Sequence, residues 1–149
     1  MTERIEGRLR RILLLLVALV FPGTVAELIL EEHTKETLQW IPFILCAAGF
    51  IVVVAALLRP ERATLLALRV VMVLVAGGGL LGMGLHLLNN YEFAQEIRPN
   101  AASTDLIVPA LKGANPLFAP GILVFAAVVA LAATYYHPAL RASVKTESA

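Results

Sequence analysis

Four apolar blocks, each long enough to cross a bilayer, alternate with short polar segments along this chain. They are Ile12–Leu30, Ile41–Leu58, Val70–Leu88 and Leu117–Tyr136. A hydrocarbon core about 30 Å thick takes about 20 apolar residues at about 1.5 Å each, so every block reads as a transmembrane helix. The intervening segments Glu31–Trp40, Arg59–Arg69 and Asn89–Pro116 leave no room for a soluble domain. The predicted fold is all-α: one polytopic membrane domain over residues 1–149, a bundle of four transmembrane helices with a long outer loop, 89–116, between the third and fourth.

Local signals refine this outline. Pro22 sits mid-span in the first block, where a missing N–H and a clash with the preceding turn predict a kink. Pro42 and Pro120 fall near helix starts, where proline costs little. Within the outer loop, Asn90–Ile97 is rich in helix formers and predicts an extension of the third helix as far as Pro99. Ser103–Lys112 reads as a short amphipathic piece lying on the membrane surface, and Gly113-Ala114-Asn115-Pro116 as a turn. The first block also has the layout of a signal peptide, with Arg8, Arg10 and Arg11 before the apolar run. Resumption of that run at Leu28-Ile29-Leu30 favours a retained span.

Composition strengthens the membrane reading. Hydrophobic residues make up 59 % of the chain and charged residues 15 %, where soluble domains carry about 25 % charge. Mean hydropathy is +0.82. A net charge of +1 gives no electrostatic reason to expect nucleic acid as a partner. The lone cysteine, Cys46, offers neither an intrachain disulfide nor a multi-cysteine metal site, and reads as apolar filler.

Charge placement sets the expected orientation. Nine of the twelve Lys and Arg residues (Arg4, Arg8, Arg10, Arg11, Arg59, Arg62, Arg69, Arg141 and Lys145) fall on the side of the N-terminus. Lys35, Arg98 and Lys112 fall on the other. The positive-inside rule then places both termini in the cytoplasm. Trp40 and the Tyr135-Tyr136 pair suit the aromatic belts at the two interfaces, and Arg69 is placed to snorkel from the third span.

Ionisable residues inside a span are candidates for function because lipid burial is costly. Glu27 and His86 close the first and third spans at a common depth, with Glu31 one turn above Glu27. Asn89, Asn90, Glu92 and Glu96 continue beyond His86, so a packed first and third helix would gather all seven. Three chemistries fit that cluster. It is a hydrogen-bond network tying helix ends to the loop, a proton or ion step in transport, or a metal site using His86, Glu27 and the thioether of Met83. The sequence requires no cofactor. The third span also carries Gly77, Gly78, Gly79, Gly82 and Gly84. Gly78 and Gly82 form a GxxxG pair suited to close helix packing, within the chain or against a partner.

From His86 to Gly121, with Asn90-Tyr91-Glu92-Phe93-Ala94-Gln95-Glu96 and Leu111-Lys112-Gly113-Ala114-Asn115-Pro116-Leu117-Phe118-Ala119-Pro120-Gly121, and closing on His137-Pro138, the chain resembles a group of small uncharacterised four-helix bacterial membrane proteins. The resemblance covers the second half only and brings no activity, cofactor or functional residue. It implies a multi-pass protein of the bacterial inner membrane.

With no nucleophile elbow and no phosphate loop in the sequence, the expected role is non-catalytic. It is that of a small accessory or assembly subunit in the lipid bilayer, packing against partner membrane proteins or copies of itself. The alternatives are a small ion or solute transporter using Glu27 and His86, and a metal- or cofactor-binding membrane protein with an outer-face His/Glu site.

Overall fold

The apolar blocks fold into helices joined by short turns, and no strand occurs among the described residues of the computed structural model, 2–141. In chain order these are α1 (Thr2–Leu30), α2 (Ile41–Leu58), α3 (Arg62–Ile97), α4 (Ser103–Leu111), α5 (Phe118–Thr134) and α6 (Pro138–Arg141). A short 3-10 turn, Thr37–Trp40, leads into α2. Lys145 and the tail beyond Arg141 lie outside the described residues. The helix α1 runs unbroken through Pro22, whose side is exposed, and Thr24 Oγ donates back to Val20 O at 3.0 Å.

Three stretches are long and apolar enough to cross a membrane: Glu3–Leu30, Thr37–Leu58 and Arg62–Ile97. No more than 33 % of the most apolar window in any of them is buried inside the protein. Leucines and valines instead cover the outside, among them Leu19, Ile44, Ile51, Val73 and Leu80. Such a surface is unstable in water and suits lipid, so this is a membrane protein. The helix α5 is shorter, with 17 apolar residues spanning about 26 Å at about 1.5 Å per residue.

The four long helices pack in a ring, α1 against α2, α2 against α3, α3 against α5 and α5 against α1. Contact pairs such as Arg69 with Thr134, Gly79 with Val124 and His86 with Pro116 fix α3 and α5 as antiparallel. Small residues let α5 fit between its neighbours: Ala126, Ala127, Ala130 and Ala133 are all buried. Larger side chains fill the rest of the core, notably Val17, Phe21, Val53, Leu65, Leu68, Met72 and Val75. Gly49 on α2 leaves the space that the Phe21 ring of α1 occupies.

Segment 89–116 is not an open loop. Its first part continues α3, which reaches 36 residues and about 54 Å, well beyond a hydrocarbon core of about 30 Å. Its second part is α4, which folds back on α3 and buries Leu106 and Ala110. Local helix propensity before Pro99 extends α3, and the apolar face of α4 anchors the return.

Candidate functional site

The conditional at the heart of the sequence reading, a packed first and third helix, is not met. The helices α1 and α3 lie diagonally across the ring and do not pack together. Antiparallel neighbours joined by short connections put consecutive helices side by side, which separates the first from the third. Glu27 and Glu31 are exposed on the α1 side, and Asn89, Glu92 and Glu96 are exposed on α3. Among the described residues no group of three or more His, Cys, Asp or Glu side chains converges. Met83 turns toward Gly121 of α5 and lines an apolar groove of about 560 Å³ with Leu117, Phe118 and Phe125.

His86 and Asn90 instead face the α4–α5 connection. Asn90, 3 % exposed, bonds both backbone polar groups of one residue, Asn115. Its Nδ2 donates to Asn115 O and its Oδ1 accepts from Asn115 N–H, each at 2.9 Å. Gly113 makes this approach possible, since a β-carbon there would overlap the Asn90 side chain. One turn earlier, His86 Nδ1 lies 2.9 Å from Pro116 O. A carbonyl only accepts, so Nδ1 carries a proton in this contact, and in the neutral ring Nε2 is then the nitrogen with the lone pair. Two polar side chains of α3 thus dock the turn that launches α5.

A second histidine joins His86 at this end, which we call the loop end. The C-terminus of α1 closes in a Schellman turn: His33 N–H donates to Leu28 O at 2.9 Å and Glu32 N–H to Ile29 O at 3.1 Å. Glu32 takes the left-handed position at φ 51°, where glycine is the usual residue. The turn delivers the half-buried His33 ring to His86, with ring centres 6.3 Å apart and planes at 61°. Burial, and then the neighbouring His86, hold His33 below the ordinary histidine value of 6.5. His33 lies outside the seven residues that stood out in the sequence; nothing local distinguishes it, because its partner is supplied by α3.

The opposite end, where α1 begins and α5 closes, holds a cluster that the sequence showed only as an orientation signal. Arg69 of α3 donates through Nη2 to Thr134 O at 2.6 Å and Tyr135 O at 3.2 Å. Arg10 of α1 donates to Tyr136 O at 3.1 Å and pairs with Glu6 at the same distance. These guanidiniums satisfy the carbonyls that a helix leaves unpaired at its C-terminus, and their charge suits the negative end of its dipole. Arg141 stacks over the Tyr136 ring at 4.4 Å. His137 lies beside them, and Ala139 N–H donates to its Nδ1 at 3.2 Å. Burial first, then Arg10 and Arg69, hold its pKa below 6.5.

Glycines of α3 divide into two sets. Gly78 lies against Leu45 of α2, and Gly79 and Gly82 lie against Val124 and Pro120 of α5, so the GxxxG pair packs within the chain. Gly77 and Gly84 meet nothing: a β-carbon at either would have open space around it. They are two turns apart on one exposed face, and Gly84 borders a groove of about 380 Å³ with Leu87, Leu88, Tyr91, Ile107 and Leu111. No family model, curated protein or solved structure matches the chain, so the geometry of these ends and this face is what bears on function.

Proposed function

We propose that the protein is a small non-catalytic subunit of the bacterial inner membrane, crossing it four times with both termini in the cytoplasm and packing against a partner membrane protein. The open face of α3 at Gly77 and Gly84 carries this reading. Lipid gives apolar helices no hydrophobic reason to associate, so association rests on close backbone approach, which glycine permits. The chain's other α3 glycines are spent on its own α2 and α5, whereas these two leave a shallow notch flanked by Leu80, Leu81 and Leu88. The polar side chains His86, Asn90, Arg10 and Arg69 bind the protein's own backbone, as suits a scaffold. Nine of twelve basic residues on the terminal side support the orientation, and a span as short as about 17 residues allows α5 to serve as the fourth crossing.

The test is native mass spectrometry of gently extracted complexes. A Gly77→Leu/Gly84→Leu variant should insert and keep its unfolding temperature but lose the partner bound by the wild type. The Gly78→Leu/Gly82→Leu variant should instead lower the stability of the chain itself. A complex unchanged by the first variant would overturn the assignment of this face.

A further inference from the structure

We propose that His33 and His86 form a two-imidazole site for a divalent transition-metal ion that takes trans nitrogen ligands, copper or nickel. Geometry is the first support. Two imidazoles sharing one ion sit about 5 to 6.5 Å apart, centre to centre, given metal–nitrogen bonds of about 2 Å. The rings of His33 and His86 are 6.3 Å apart, which matches the trans end of that range, whereas a tetrahedral pair sits at about 5 Å.

Orientation is the second. A metal-ligating histidine usually donates its other ring N–H to a carbonyl or carboxylate, which fixes the tautomer and aims the free nitrogen. His86 is held in this way, its Nδ1 on Pro116 O at 2.9 Å, which leaves Nε2 as the nitrogen without a protein partner among the described residues. That anchor sits on a turn itself clamped by Asn90, so the imidazole is positioned by a supported frame. His33, half-buried and facing His86, takes no ring hydrogen bond from any described residue, so both of its ring nitrogens are open to an ion.

Backbone strain is the third. Glu32 occupies a left-handed conformation unfavourable for a non-glycine residue, and it is the only such residue described. The strained turn brings His33 across the diagonal of the ring to α3, joining two elements that otherwise do not pack. An ion bound there would staple the α1–α2 connection to α3.

A trans imidazole pair suits the tetragonal geometry of copper and nickel, with copper bound most tightly in the divalent series. Because no third His, Cys, Asp or Glu converges among the described residues, the remaining coordination positions belong to solvent or to a ligand from outside the chain. The site is independent of the partner face on α3, and either can fail without the other.

Equilibrium dialysis of the full chain, free of any histidine tag, against Cu²⁺ and separately Ni²⁺ tests the site. One ion per chain is expected. His33→Ala should weaken binding about 10-fold or more, a loss that even an outer-shell change can bring. His86→Asn should do the same while keeping an amide donor for Pro116 O, which guards the fold. His137→Ala, at the other end of the bundle, should bind as the wild type does. A wild type that binds no ion, or binding that survives His33→Ala, would overturn the proposal.

Discussion

Asn90 shows how much one side chain can organise in a chain of this kind. It is nearly sealed from solvent, and both of its polar atoms bond the backbone of one residue, Asn115. Removing it leaves a buried N–H and C=O without partners, which costs about 1–3 kcal/mol. We therefore expect Asn90→Ala to lower unfolding stability in detergent by that amount, with Asn90→Asp also harmful because a carboxylate cannot donate to Asn115 O. Unfolding curves that superimpose on the wild type would refute the clamp. Asn90 was visible in the sequence as one member of a polar stripe; its partner was not, since twenty-five residues separate Asn90 from Asn115. Glu27 shows the converse, a residue whose position near the end of a span was legible but whose proposed partner lies on a diagonal helix.

Between elements, the decisive variable is how closely two backbones approach. The Phe21 ring of α1 fills the space over Gly49 of α2, whereas Gly77 of α3 faces open surroundings. The same substitution should consequently have opposite effects at the two sites. Gly49→Ala should destabilise by about 1–3 kcal/mol through overpacking. Gly77→Ala should be neutral or stabilise by up to about 1 kcal/mol, because alanine loses less backbone entropy in a helix. Parallel chemical denaturation of the two variants in one detergent checks the contrast, and equal effects would contradict the assigned packing. Glycine content alone announced close packing in α3, but which glycine meets which helix depends on the rotation of α3 in the ring.

Across the whole molecule, the two ends of the bundle are closed by different chemistry. At the terminal end, α1 and α3 each send an arginine to the last carbonyls of α5, with His137 between them and Arg141 on the Tyr136 ring. His137 is held below its ordinary value of 6.5 by burial, Arg10 and Arg69. As pH falls through 6.5 the unfolded chain therefore takes up a proton that the folded chain still resists. Stability should decline from there until pH passes the lower folded value. Protonation also removes the acceptor that Nδ1 offers to Ala139 N–H. A His137→Asn variant, which retains an acceptor and does not titrate, should flatten the fall in unfolding temperature between about pH 7 and pH 5. An unaltered pH profile in that variant would exclude His137 as the source.

The sequence by itself determined the class of this protein: apolar blocks of bilayer length, an excess of basic residues toward one side, and a helical rather than open segment between His86 and Pro99. These features are local, because helix formation and affinity for lipid depend on composition within one turn or one span. Only the tertiary structure decided neighbourhood. The ring order that separates α1 from α3, the turn that carries His33 to His86, and the seating of α5 between Arg10 and Arg69 arise from contacts between distant segments. Side-chain size at the crossings sets those contacts, and no periodicity along a single helix encodes them.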